Sequence, residues 1–172
     1  MVYGLRLACG LALCTVSATA MTAAGPLEGL DPALGAFLPG FERGTERFMN
    51  GDPAPWKANA SQRDDVMILG AWGAHEKGWP EVSSRYDWAA ARFRDADAEL
   101  EVEYLGAFAS GDLAVVTAIE RASVKLAGQA EAAPMALRVT HVFRREDGAW
   151  KLVLRHADPL VEKTAPEAVL AR

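Results

Sequence analysis

Hydrophobic and polar positions alternate most cleanly in the last third of the chain. Leu137, Val139, His141 and Phe143 interleave with Arg138, Thr140, Val142 and Arg144. After Asp147-Gly148, the residues Trp150, Leu152, Leu154 and His156 interleave with Lys151, Val153, Arg155 and Ala157. A period of two is the mark of a half-buried strand. Asp-Gly suits a two-residue type I′ turn, which needs positive φ at both central positions. The stretch from Ala136 to Pro159 is therefore expected to be a β-hairpin. With a two-residue turn, Phe143 faces Leu152 and His141 faces Leu154, and both histidines of the hairpin share the apolar face. A bulge beside the turn is the alternative. It would slip the register by one and group His141 with Arg155.

Upstream, the period changes. Asp31 can cap a helix that has Pro32 in its first turn. Phe37, Phe41 and Phe48 recur at near-helical spacing, with Leu38, Thr45 and Met49 beside them. Pro39-Gly40 predicts an interruption or kink, and Asn50-Gly51-Asp52-Pro53 a stop. A short helical piece is expected around Trp56 to Ser61. Val66 to Leu69 reads as a strand, Gly70-Ala71-Trp72-Gly73 as a turn and Ala74 to Lys77 as a short return strand. From Pro80, the residues Val82, Tyr86, Ala89, Ala90 and Phe93 form one apolar helical face, and Trp88 falls off it. Leu100, Val102 and Tyr104 alternate with Glu99, Glu101 and Glu103, an acidic stripe expected on a solvated strand face. Ser110-Gly111-Asp112 turns the chain into a long strand, Leu113 to Lys125. On that strand Val116, Ala118 and Glu120 share one face. A loop from Gly128 to Ala133 leads to the hairpin, and a polar tail follows Pro159. Helices first and antiparallel hairpins after predict an α+β fold in a single domain. Such a sheet can curl around its helices and leave a concave space for a ligand.

Composition narrows the function more than the fold. The chain has 172 residues, enough for one core, and a net charge of −5. An acidic balance argues against nucleic acid as a partner, and no apolar run in the body approaches a membrane span. Both cysteines, Cys9 and Cys14, lie in the first twenty residues, so the body holds no disulfide and no thiolate metal site. Residues 1–24 carry Arg6 as their one charge and end near Ala18-Thr19-Ala20, which fits an export signal. That predicts a periplasmic or secreted protein. A start at Met21 and a cytoplasmic location is the alternative.

The order of elements, together with FMNGDPAPW, DDVMILGAWGAHEKGW and RVTHVFRREDGAWKLVLRHAD, resembles the SnoaL-like proteins of the nuclear transport factor 2-like superfamily. The resemblance covers residues 33–160 and implies a cone-shaped α+β fold, a curved antiparallel sheet wrapped on N-terminal helices. It also implies a pocket in each cone and a homodimer built through the sheet. The hairpin is also similar to that of the association domain of calcium/calmodulin-dependent kinases. The superfamily includes isomerases, cyclases, dehydratases, transport factors and non-catalytic oligomerisation modules, so the resemblance leaves the activity open. In its ketosteroid isomerase branch, a carboxylate base stands near the end of the first long strand, a tyrosine on the first helix and a protonated aspartate on a later strand. Here the strand ends in Leu69-Gly70 and the helix offers phenylalanines. Many relatives carry a histidine where Leu154 stands.

Candidate chemistry centres on His141, whose position matches a cavity-facing arginine of the kinase association domain. It is the candidate catalytic base; the alternative is a histidine of the pocket wall. Trp72, Tyr86, Tyr104, Arg155 and His156 are the candidate ligand-binding residues, aromatics for contact area and Arg155 for a carboxylate if the bulged register holds. His75 lies in the turn segment, with exposure there the simpler expectation. The three histidines lack metal-ligand spacing, so neither metal nor other cofactor is expected. Three functions follow: a small-ligand binder for an apolar or carbonyl-containing molecule, an acid–base enzyme of the isomerase, dehydratase or cyclase type using His141, and a non-catalytic dimerisation module.

Overall fold

The computed structural model describes residues 25–94, 97–163 and 165–170. The expected export signal lies outside them. In chain order the elements are α1 (Pro32–Met49), α2 (Ala54–Asn59), β1 (Met67–Leu69), β2 (His75–Lys77), α3 (Trp79–Ala90), β3 (Phe93–Arg94), β4 (Glu101–Ser110), β5 (Leu113–Leu126), β6 (Ala133–Glu146) and β7 (Ala149–Pro159). A 3-10 turn, Pro166–Val169, follows.

The strands form one curled sheet in the order β2-β1-β7-β6-β5-β3, with β4 also paired to β5. The sheet is mixed: β1 runs parallel to β7, and the other pairs are antiparallel. The three helices fill its concave side, completing the α+β cone.

Asp31 caps α1 by accepting from the backbone of Ala33 and Leu34 at 2.8 and 3.2 Å, and its other oxygen accepts from Arg145 Nη2 at 2.8 Å. The expected interruption at Pro39 does not occur; α1 runs through it. Pro39 and Gly35 lie on the solvent side, where water can satisfy the Gly35 carbonyl that lacks its N–H partner. The buried side of α1 presents Leu34, Leu38, Phe41, Thr45 and Met49 to the sheet. Phe41 meets Phe143 edge-on at 5.1 Å and Trp56 at 4.8 Å, tying α1, α2 and β6 into the main core.

Phe93 was expected on the helical face of α3. Instead the helix ends at Ala90, and Phe93-Arg94 pairs with Leu126 and Lys125 of β5. This places Phe93 in a second core with Met49, Ala98 and Val124. The acidic stripe on β4 is solvated, and Glu103 is balanced across the ladder by Arg121 at 2.9 Å.

The hairpin turn forms as the sequence predicts. Asp147 and Gly148 both have positive φ, 50° and 84°, and Phe143 pairs with Leu152. The register then shifts. Val153 is an extra residue on β7, so Val142 pairs with Leu154, His141 with Arg155 and Thr140 with His156. The two-residue register expected for the whole hairpin is thus corrected beyond Leu152. The shift coincides with a change of partner on the other edge of β7, where the Ser61 amide donates to the Leu152 carbonyl at 2.8 Å and β1 docks in parallel from Leu154 onward. Past the bulge the facing parity is reversed. Arg155 and Ala157 turn inward, and Leu154 and His156 face out.

Candidate functional site

A cavity of about 640 Å³ opens between the sheet and the helices. Its walls are mainly apolar, with Phe48, Trp56, Ile68, Tyr86, Phe93 and Leu137 prominent. Lining residues come from the inward period of their elements: Phe48 from the core side of α1, Tyr86 from that of α3, and Leu137 from the inward row of β6.

At the base lies a buried ion pair. Arg155 Nη1 donates to Glu120 Oε1 at 3.0 Å and Nη2 to Glu120 Oε2 at 2.6 Å, a bidentate arrangement. Both residues line the cavity and both are at most 9% exposed. Arg155 also stacks over the Trp56 ring, its Cζ 5.3 Å from the ring centre. Burial works to raise the Glu120 pKa. The charge and hydrogen bonds of Arg155 outweigh it and hold the carboxyl below its ordinary value.

His141 sits behind this pair. Its Nε2 is 2.5 Å from Arg155 Nη1 and 3.7 Å from Glu120 Oε1. Burial and then the Arg155 cation push its pKa down to about 3, so the ring is neutral. Arginine can only donate, so Nε2 is the acceptor and the ring proton belongs on Nδ1. The ring packs edge-on against Phe41 at 5.0 Å and lies one layer below the cavity wall. On its far side a void of about 10 Å³ separates it from Tyr104 and Glu42.

The structure brings Trp72, Tyr86 and Arg155 to one cavity, with His141 directly beneath. It does not bring Tyr104 or His156 there. Tyr104 donates its hydroxyl to Glu42 on α1, and burial followed by that carboxylate raises its pKa. His156 faces out, with Nε2 3.4 Å from Asp158, because the bulge turned it away. His75 is exposed on β2. Elsewhere on the hairpin, Arg138 pairs with Asp158 and Arg144 with Asp65 and Glu146. Arg155 lies inside, as the bulged register requires. Among the described residues, no group of three His, Cys, Asp or Glu side chains is placed to hold a metal ion.

At the cavity mouth, Trp72 is 45% exposed and meets Trp88 edge-on at 5.8 Å. Arg85 and Arg92 stack on Trp88 at 4.2 and 3.3 Å. Arg85, which also lines the cavity, donates to the Gly73 carbonyl at 2.9 Å and lies 3.8 Å from Glu76. Tyr86 Oη and Trp56 Nε1 are buried without a hydrogen-bond partner, and burial pushes the Tyr86 pKa up to about 12.

Glu120 and Trp56 are the site residues that reading for known chemistry passes over. The signal for Glu120 was present: it continues the Val116, Ala118 row of β5, and a carboxylate on an otherwise apolar inward row needs a buried cation.

A mixed sheet curled on three helices around an apolar cavity defines the cone-shaped fold of the nuclear transport factor 2-like kind. The model of the SnoaL-like domain matches residues 41–162. The chain belongs to the SnoaL-like family. A nuclear transport factor 2-like superfamily protein of Salmonella enterica superimposes with a TM-score of 0.68 at 16% identity, over 79% of this chain and 96% of that one. A ketosteroid isomerase-like protein of Erwinia carotovora gives 0.61 at 16% identity, over 76% and 96%. A candidate dehydratase of the same structural family from Streptomyces avermitilis gives 0.61 at 22% identity, again over 76% and 96%. No protein with a curated description is significantly similar in sequence. The fold of this family is suited to small-molecule binding or to isomerase- and dehydratase-type chemistry.

Proposed function

We propose that this SnoaL-like protein binds a small, predominantly apolar or carbonyl-containing molecule in its cone. The observation that carries this is the open cavity of about 640 Å³ with an apolar wall and one polar floor. That volume falls in the range of drug-sized ligand sites. A module that served only to dimerise would gain more by filling the space with side chains. Melting curves with benzophenone and diphenylmethane test the reading. Saturating ligand is expected to raise Tm, since occupancy at a hundred times Kd adds about 2.7 kcal/mol. Ala71→Trp, which fills the cavity from its wall, is expected to abolish the rise. A flat response to both compounds in the unmodified protein would refute it.

The second reading, acid–base chemistry with His141, draws on the contact of its Nε2 with Arg155 at the cavity base. Arg155 occupies the Nε2 lone pair in this state, so the reading requires that contact to open when a molecule binds. The carboxylate of the ketosteroid isomerase branch has no counterpart at the end of β1, where Leu69 and Gly70 stand. Turnover that is lost in His141→Ala while ligand binding persists would favour this reading.

We further propose a homodimer through the outer face of the sheet. Phe108, Val115, Val142, Leu154 and Met67 are directly paired across five strands there, and Phe108 is 71% exposed. Light scattering is expected to give twice the chain mass, and Val142→Glu the mass of one chain. A monomer at tens of micromolar would contradict the proposal.

A further inference from the structure

Charge at the cavity floor carries a further inference, which rests on the small-ligand reading. Among the described residues, two cations line the cavity, Arg155 and Arg85. Each is already matched by a carboxylate: Arg155 by Glu120 with two hydrogen bonds, and Arg85 by Glu76 at 3.8 Å. Glu131 adds a further negative charge to the lining. The described lining therefore holds no net positive charge for a ligand anion.

Glu120 matters most, because it lines the same cavity as the cation it neutralises. A ligand carboxylate brought to Arg155 would also come up against Glu120. Its attraction to one would be offset by repulsion from the other, and its lost hydration would stay uncompensated. An uncharged carbonyl or hydroxyl suffers neither loss. The Arg155 guanidinium has five N–H groups, and three contacts to Glu120 and His141 account for only part of them. His141 contributes no charge, since it is neutral and itself accepts from Arg155.

We propose that Glu120 is the specificity-determining residue of the cavity. By neutralising Arg155 from inside, it selects ligands with an uncharged carbonyl or hydroxyl head and excludes carboxylates. This reverses the role that Arg155 alone would suggest, a carboxylate receptor.

Titration calorimetry of the full chain with benzophenone, diphenylmethane and diphenylacetate tests this. The three probes share a diphenyl body and differ in the head: a carbonyl, no polar group and a carboxylate. The unmodified protein is expected to bind benzophenone about tenfold more tightly than either of the others, one net hydrogen bond over diphenylmethane and one unrepaid charge over diphenylacetate. In Glu120→Gln the freed Arg155 is expected to reverse the order, with diphenylacetate gaining about tenfold or more. Equal or tighter binding of diphenylacetate by the unmodified protein overturns the proposal, and that arm needs no variant to fold. So does a folded Glu120→Gln protein whose preference does not move. Equal affinity for benzophenone and diphenylmethane leaves the small-ligand reading standing and removes the polar head. Failure of all three probes removes both.

Discussion

Replacing Arg155 with methionine is expected to lower stability by about 3–5 kcal/mol, because it leaves the Glu120 carboxylate buried without its partner. For a domain of this size that corresponds to a fall in Tm of roughly 10–20 °C. Methionine keeps much of the volume and the stacking against Trp56, so the loss reports charge more than packing. Glu120 would relieve its isolation by taking up a proton, and the variant should therefore regain part of its stability as pH falls. The double variant Glu120→Leu, Arg155→Met is expected to recover to within about 1 kcal/mol of the unmodified protein, since apolar replacement of a buried pair is often neutral or better. Denaturant melts of the three variants and the parent form a cycle that isolates the pair. Additive losses would mean that the two residues do not act together.

Acid should unfold this protein early, and His141 is the main reason. In the folded chain its pKa is depressed from 6.5 to about 3. A depressed histidine contributes stability that is complete above the unfolded value and is lost as pH falls from 6.5 toward 3, because the unfolded chain binds the proton first. The charged and titratable groups facing it are Arg155 on β7 and Glu120 on β5, with Tyr104 and Glu42 across the small void. Burial and Arg155 disfavour the imidazolium, and Glu120 favours it less strongly. Between neutral pH and pH 4 the loss from this residue is about 3 kcal/mol. Glu120, whose pKa is held below its ordinary value of 4.5, adds to the loss as pH falls through that value, where the unfolded chain again takes up its proton first. His141→Gln is expected to flatten the stability profile between pH 6.5 and 4. Superimposable profiles for parent and variant would show that the imidazole is not held neutral.

The fold was largely legible in local patterns. The Asp147-Gly148 turn, the Asp31 cap, the period-two run of β5 and the helical face of α3 each depend on neighbours a few residues away, and sequence reports those directly. What failed depended on distant partners. Nothing near Val153 decides between the two-residue register and the bulged alternative, and the partners that change there, Ser61 and β1 on the far edge of β7, are distant in sequence. The structure adopts the alternative's grouping of His141 with Arg155, and with it the facing of Arg155 and His156. Pro39 misled for a related reason: whether a proline breaks a helix depends on whether its orphaned carbonyl meets water or core, and only the folded surface decides that. Tyr86 was legible because an aromatic residue on the inward period of a helix has few other places to go. Tyr104 follows the alternation of β4, but no residue of that strand lines the cavity, and its hydroxyl donates to Glu42 instead.

The two bulges of the sheet, at Leu105 on β4 and Val153 on β7, lie on either side of the β5–β6 pair. Each stores one surplus residue as curvature. The hollow is thus partly a matter of chain length and not only of side-chain size. Trimming a lining residue changes the space by a few methylene groups, while removing one backbone residue from a bulge would straighten a whole wall and leave the inward-facing set unchanged. Cavities in a sheet built this way can be resized by single-codon insertions and deletions, a route to new ligand shapes that passes through no change in the lining residues at all.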